Sequence, residues 1–296
     1  DGDGTLSHTA PTPVPVVAPG TGIGGSQLCG VTQIDGSNNW IGAVTNGGRV
    51  LTWGSSGNGA IGQGIPHAAQ SSYPVPGYVV TGDLIDADGD GNLDPGTPLE
   101  GVVSVEASYG TGFALLQNGT VWRWGSGRCG ESITSVFHAV PMPVLDKQGT
   151  TIVQIEGGNQ SVLARHSDCT VSYCLGGGAL GAPQRLTLYT FAGQRAIDLA
   201  LLPSTTGALV LTEDGSLWVT GQPTTTHITV LTTEEPVTTS TWTRVILPGS
   251  SGVIDLDGSD VACAILIRRA DGSAWSWGDT NRDCHGQDTA TVLDCT

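Results

Sequence analysis

Apolar residues in this chain fall in short runs, each broken by a polar turn, and the arrangement recurs five times. "IGAVT" leads into Asn46-Gly47-Gly48 and leaves as "RVLTWG". "GFALLQ" leads into Asn118-Gly119-Thr120 and leaves as "TVWRWG". The same grammar surrounds Asp168-Cys169-Thr170, Asp214-Gly215-Ser216 and Asp271-Gly272-Ser273. Short apolar runs bounded by Gly, Asn and Asp read as strands. Asn-Gly and Asp-Gly supply the positive φ of a two-residue hairpin turn, so five such hairpins are expected. About ten residues before each turn lies another short run: "VTQIDG", "VVSVEAS", "IVQIEGG", "AIDLALL" and "VIDLDG". Upstream of these comes a fourth, usually proline-bearing element: "PVPVV", "PVPGYV", "PMPVLD", "PQRLTLY" and "WTRVILP". Proline lacks an N–H and suits an edge strand.

The unit is thus four strands, repeated five times, with turns 72, 50, 46 and 57 residues apart. Thin sheets with two apolar faces cannot bury both alone, and packing them face to face around an axis solves that. The expected fold is all-β: a β-propeller of four-stranded blades in one domain over residues 1–296. Trp53, Trp124 and Trp277 hold equivalent places, as do Trp122, Trp218 and Trp275, and their expected role is packing between blades. Trp40 and Trp242 stand outside that pattern and are left as candidate ligand contacts.

Three stretches, "AVTNGGRVLTWGSSGNGAIGQG" at 43–64, "ALLQNGTVWRWGSG" at 114–127 and "ILIRRADGSAWSWGDTNRDCHGQD" at 265–288, resemble the regulator of chromosome condensation repeat. That repeat reads as an apolar pair, a D/N-G turn, V-x-x-W-G and G-Q-L-G. The third unit departs from it with "CTVSYCLGG", and the fourth lacks the G-Q-L-G segment. The resemblance implies a propeller, commonly of seven blades, against five repeats here. It includes secreted bacterial proteins that bind other proteins, and a nuclear founder that exchanges nucleotide on a small GTPase and binds chromatin. In the family G-Q-L-G continues into G-D-G-T and the proline strand. This chain ends near "HGQDTATVLDCT" and opens "DGDGTLSHTAPTPVPVV", so the N-terminal strand near Pro13–Val17 is expected to complete the last blade.

Composition adds a setting. The chain has 45 glycines, one lysine (Lys147) and a net charge of −16. That charge argues against nucleic acid, which is bound by a basic face. Seven cysteines without a C-x-x-C pair point to structural disulfides and an oxidising compartment. Candidate pairings are Cys29 with Cys295 across the seam and Cys169 with Cys174 locally; Cys129 and Cys284 hold matching repeat positions, and Cys263 is the expected buried free thiol. No apolar stretch approaches the ~20 residues of a membrane helix. The opening residues read as a chain whose leader has been removed.

Two insertions carry individuality. Residues 82–100, "GDLIDADGDGNLDPGTPLE", place Asp86, Asp88 and Asp90 at alternate positions before Gly91. This resembles an EF-hand or dockerin calcium loop, with Asn92 offering its carbonyl and Asp94 at the ninth position. The twelfth position is Thr97, not the bidentate Glu, and Asp83 or Glu100 is the available substitute. Calcium is the expected cofactor. Residues 222–243, "QPTTTHITVLTTEEPVTTSTWT", read as a Thr-rich arm. Asn118 and Asn159 stand in N-glycosylation sequons.

No catalytic motif is present: no G-x-S-x-G, Walker loop, zincin or dinucleotide fingerprint. The acidic pair Asp255 and Asp257 is accounted for by the repeat. The reading reached from sequence is a non-enzymatic extracellular binding or adhesion module, or a subunit of a surface assembly, gripping a protein or glycan. The alternatives are an exchange-factor and chromatin-type propeller, or a propeller hydrolase or lyase.

Overall fold

The computed structural model describes residues 13–37, 39–65, 72–82, 94, 96–126, 135–146, 148–158, 161–174, 191–202, 207–221, 233–238, 241–249, 252–258 and 264–278. Five antiparallel sheets follow one another along the chain. Sheet 1 holds β1 (Val31–Gly36), β2 (Trp40–Thr45), β3 (Val50–Ser55) and β4 (Ser72–Tyr78). Sheet 2 holds β5 (Val102–Ser108), β6 (Thr111–Leu116), β7 (Val121–Gly125) and β8 (Val136–Pro141). Sheet 3 holds β9 (Ile152–Gly158), β10 (Ser161–His166) and β11 (Val171–Cys174). Sheet 4 holds β12 (Ala196–Leu201), β13 (Gly207–Thr212), β14 (Leu217–Gly221) and β15 (Thr243–Arg244). Sheet 5 holds β16 (Val253–Gly258), β17 (Ala264–Arg269) and β18 (Ala274–Gly278). Strands pair in sequence order, so each sheet is a plain meander.

The hairpin turns differ from the expected type. The amide of Gly48 donates to Thr45 O (2.8 Å) and that of Thr45 to Arg49 O (2.9 Å). This closes a three-residue loop: a turn followed by a left-handed residue that forms a bulge. Gly119, Cys169, Gly215 and Gly272 hold the same left-handed place. In the first repeat the left-handed residue is therefore Gly48, one position beyond the Asn-Gly pair. The proline elements are also reassigned. β4 pairs with β3 and β15 with β14, so each finishes the sheet before it, while Pro143–Leu145 is a 3-10 turn.

Each junction between neighbouring sheets is a separate apolar cluster. Trp40, Val44, Val105, Ala114 and Trp124 join sheets 1 and 2. Phe113, Leu115, Ile155 and Val162 join sheets 2 and 3. Leu163, Tyr173, Leu199 and Val210 join sheets 3 and 4. Leu209, Leu211, Leu256 and Ile265 join sheets 4 and 5. The strands supply these side chains by alternation: in β6, Phe113 and Leu115 point to sheet 3, and Ala114 points to sheet 1. Trp124 is wholly buried, and its indole N–H donates to Ala60 O (2.7 Å) in the turn after β3. Gly62 in that turn lies so close that a Cβ there would stand 2.7 Å from the Trp124 ring.

The arrangement is propeller-like, but a closed propeller sealed by the N-terminal strand is not what forms. The sheets are five separate open meanders, and sheets 3 and 5 have three strands among the described residues. Val17 pairs with Gln27, and the Leu28 amide donates to Val16 O (2.8 Å), so the N-terminal strand folds on itself. Gly20, Gly22 and Gly24, all at positive φ, make that short reversal possible. A contact ten residues away closes at far less entropic cost than one at the far end of the chain.

Candidate functional site

The first strand of each sheet is the innermost, and its polar face carries carboxylates. Asp35, Glu106, Glu156 and Asp257 occupy one register position of β1, β5, β9 and β16; Asp198 and Asp255 lie two residues before that position in β12 and β16. The groups are wired from sheet to sheet. Asp35 Oδ2 accepts the Ala107 amide (2.5 Å), and its Oδ1 accepts the Gly36 amide (2.8 Å). Gln33 clamps the same neighbouring strand, accepting the Val105 amide (2.8 Å) and donating to Val105 O (2.9 Å). Glu106 repeats the motif one sheet on, accepting the Gly157 amide and the Ser104 hydroxyl (3.1 Å). Gly157 must be glycine for this: a Cβ would stand 2.6 Å from Glu106 Cβ. Gln154 donates to Asp198 (2.7 Å) and accepts from Arg165 (2.9 Å).

These carboxyls feel one another. Burial pushes Glu106 up to about 8, with the Asp35 charge adding to it. Burial likewise holds Glu156 well above the usual carboxylate range, aided by Glu106, Asp35, Asp257 and Asp198. Asp35 is raised by burial, partly offset by its amide bonds, and Asp257 of sheet 5 contributes. Carboxylates from all five sheets therefore face one axis. Packed away from water, Glu106 holds at neutral pH a proton that an isolated carboxylate releases, and Glu156 is displaced in the same direction. Sequence reading passed over this site because alternation alone explains a polar residue on a strand. The available signal was an acid at the same place in four of the five inner strands.

The residues singled out from sequence fare as follows. Asp86, Asp88, Asp90 and Asn92 lie outside the described residues; Asp94 is half-buried. Among the described residues no three His, Cys, Asp or Glu side chains converge where they could hold a metal ion, so the calcium-binding expectation finds no site there. Of the two available substitutes, Asp83 lies outside the described residues, and Glu100 is engaged elsewhere, pairing with Arg49 (2.5 Å).

The disulfide pairings expected for Cys29 and Cys169 are corrected too. Cys29 and Cys169 are free, so neither Cys29–Cys295 nor Cys169–Cys174 forms, and no bond joins two described cysteines. Cys169 instead accepts from the Arg195 guanidinium (3.1 Å). Cys174, buried at the end of β11, is the one described cysteine that is disulfide-bonded. Cys129, Cys263, Cys284 and Cys295 lie outside the described residues.

Trp40 and Trp242 are not surface contacts. Both are buried, Trp40 donating to Ser108 O (2.9 Å) and Trp242 packing edge-on against Tyr173 and Phe191. The second half of the Thr-rich arm is framework: Thr233 bridges to Val245, and Val237 is buried. Asn118 turns its side-chain oxygen onto the Thr120 amide (3.1 Å) and hydroxyl (2.7 Å), and so braces its turn.

No protein-family model and no curated protein matches the sequence. Solved structures do match in fold. Human WBSCR16 is 16% identical, with a TM-score of 0.63, over 86% of this chain and 63% of that one. Prp20p from Saccharomyces cerevisiae is 20% identical, with a TM-score of 0.59, over 85% and 57%. Yeast RCC1 (Prp20) bound to Kap60 is 18% identical, with a TM-score of 0.58, over 85% and 56%. The likeness is one of fold, to propellers of the RCC1 type. It runs to human and yeast proteins and gives no support to the secreted bacterial type expected from sequence. This chain spans about 60% of the length of the proteins it matches. Among the described residues, no helix is long and apolar enough to cross a membrane.

Proposed function

We propose that this chain is a non-enzymatic protein-binding module whose partner presents a basic surface. The observation behind this reading is the chain's net charge of −16. A field of one sign recruits the opposite sign, and the buried Glu106 and Glu156, which favour their protonated forms, contribute least to it. Of the two finer readings, the exchange-factor and chromatin-associated type has more support than extracellular adhesion. The matched yeast structures are described as a complex with Kap60 and as a study of binding to Gsp1p and histones. Histones are basic proteins, so an acidic module of this kind meets chromatin through protein and not through DNA phosphates.

The test uses two probes on the purified chain: core histones, and a Gsp1p-type GTPase loaded with fluorescent GDP. Support is saturable histone binding that weakens steeply with salt, or accelerated GDP release. Absence of both at tens of micromolar protein would sink this reading and return the field to a cell-surface protein or glycan partner.

A further inference from the structure

Five repeats in register allow each position to be compared with its counterparts. The strand that leads into each hairpin turn ends on Thr45, Leu116, His166, Thr212 and Arg269 in sheets 1 to 5. Each of these pairs with the apolar residue that opens the first strand of its sheet. Where the residue is polar, its side chain is met. Thr45 Oγ1 donates to Arg49 O (3.2 Å), and Thr212 Oγ1 to Ser216 O (3.0 Å). The His166 ring meets Thr150 Oγ1 (3.2 Å) and Ser172 Oγ (2.6 Å). Arg269 breaks the pattern. It is 2% exposed, and among the described residues nothing accepts from its Nε or Nη2.

The neighbour across the hairpin explains why. Trp275 pairs with Ile267, two residues before Arg269, just as Ser172 pairs with Ala164, two residues before His166. A hydroxyl there meets the His166 ring, but an indole is a donor only. Arg269 Cζ instead lies 4.3 Å from the centre of the Trp275 ring, which favours the cation and leaves its N–H groups unmet. Asp271, the nearest acid in sequence, is turned onto the Ser273 amide (2.9 Å) and hydroxyl (2.6 Å). A guanidinium keeps its charge inside a protein, and a buried charge with unmet donors is costly. Nε and Nη2 share one edge of the guanidinium plane, and that pair matches the two oxygens of a carboxylate.

The cover over this edge is thin. Trp275 is 41% exposed, and its indole N–H is tied only to Ser273 Oγ (2.9 Å). Pro248 and Gly249 are exposed, and a Cβ on Gly249 would stand 3.1 Å from Arg269 Nη1, so glycine leaves the guanidinium uncrowded. We infer that the Arg269 edge beside Trp275 is a binding site for a carboxylate, either free or at the tip of an acidic side chain. Nε–H and Nη2–H each donate to one oxygen, and the exposed Trp275 ring shifts to admit the ligand. The site takes the sign of charge that the rest of this acidic chain repels, and it does not depend on the basic-partner reading.

The test labels the arginines with nitrogen-15 and follows the Nε–H resonance of Arg269. That resonance is identified by its loss in Arg269→Lys or, should that variant not fold, by its displacement in Trp275→Leu. Sodium formate is titrated in, with sodium chloride at matched ionic strength as the control. Formate is expected to move the resonance to saturation, and chloride to leave it in place. Formate should also raise the melting temperature, and that rise should vanish in Arg269→Lys, which keeps the charge but loses the two-donor edge. N-acetylglutamate separates the two sources: saturation by formate alone means a small free anion, and saturation by both means that an acidic side chain fits as well. A resonance already at the carboxylate-paired position in anion-free buffer means that the chain supplies its own acid. A resonance that formate leaves in place means that the edge is closed. Either result overturns the inference.

Discussion

Cys169 sits at φ +63, in the place that Gly48, Gly119, Gly215 and Gly272 fill in the other repeats. A left-handed residue with a Cβ costs roughly 1–2 kcal/mol. What Cys169 gains in return is the exposed Arg195–Sγ contact, and contacts of that kind contribute little. Cys169→Gly is therefore expected to raise stability by about 1 kcal/mol, read as a higher denaturant midpoint at unchanged slope. Gly119→Ala makes the opposite change. It adds strain at φ +81, and its Cβ would stand 2.7 Å from Thr151 Cβ, so it should cost more than Cys169→Gly returns. The turns were legible in the sequence as turns but not as to type. Asn-Gly and Asp-Gly satisfy a two-residue and a three-residue loop alike, and only the bond from the Thr45 amide to Arg49 O decides between them.

At the scale of the element, the two equivalent tryptophans separate packing from hydrogen bonding. Trp124 and Trp53 are both buried, but only Trp124 donates, to Ala60 O. Tryptophan to phenylalanine removes similar volume at each. Trp124→Phe should cost about 1–2 kcal/mol more than Trp53→Phe, because it alone orphans a buried carbonyl. Equal losses in paired urea melts would show that the bond contributes nothing. The strands themselves were readable, since "GFALLQ" and "TVWRWG" alternate with period two and stop at glycine. Their grouping was less so. The proline element before β5 pairs with β3, because an edge strand takes whichever open edge lies beside it, and sequence order does not record that. The axial carboxylates were readable as letters but not as a site. Alternation puts Asp35, Glu106 and Glu156 on the polar face of their strands, and only the packing of sheets turns that face toward one axis instead of toward water.

For the whole molecule, the axial carboxyls make stability depend on pH in an unusual direction. Paired surface carboxylates normally have depressed values and stabilise a fold as pH rises. Here Glu106 is raised from 4.5 to about 8 in the folded state, and Glu156 is raised as well, both chiefly by burial. A group that binds its proton more tightly when folded contributes stability that is fully present below the unfolded value, near 4.5. That contribution is lost as pH climbs through the folded value. Deprotonation then places like charges on neighbouring inner strands that have little water to screen them. The melting temperature should therefore peak near pH 5 and fall steadily to pH 8. Glu106→Gln and Glu156→Gln, which keep the shape and remove the titrating proton, should flatten that fall and raise stability at pH 8 relative to the unsubstituted chain. A melting temperature that instead climbs from pH 5 to 8, or glutamine variants that keep the unsubstituted slope, would mean that the inner strands do not share one low-dielectric axis.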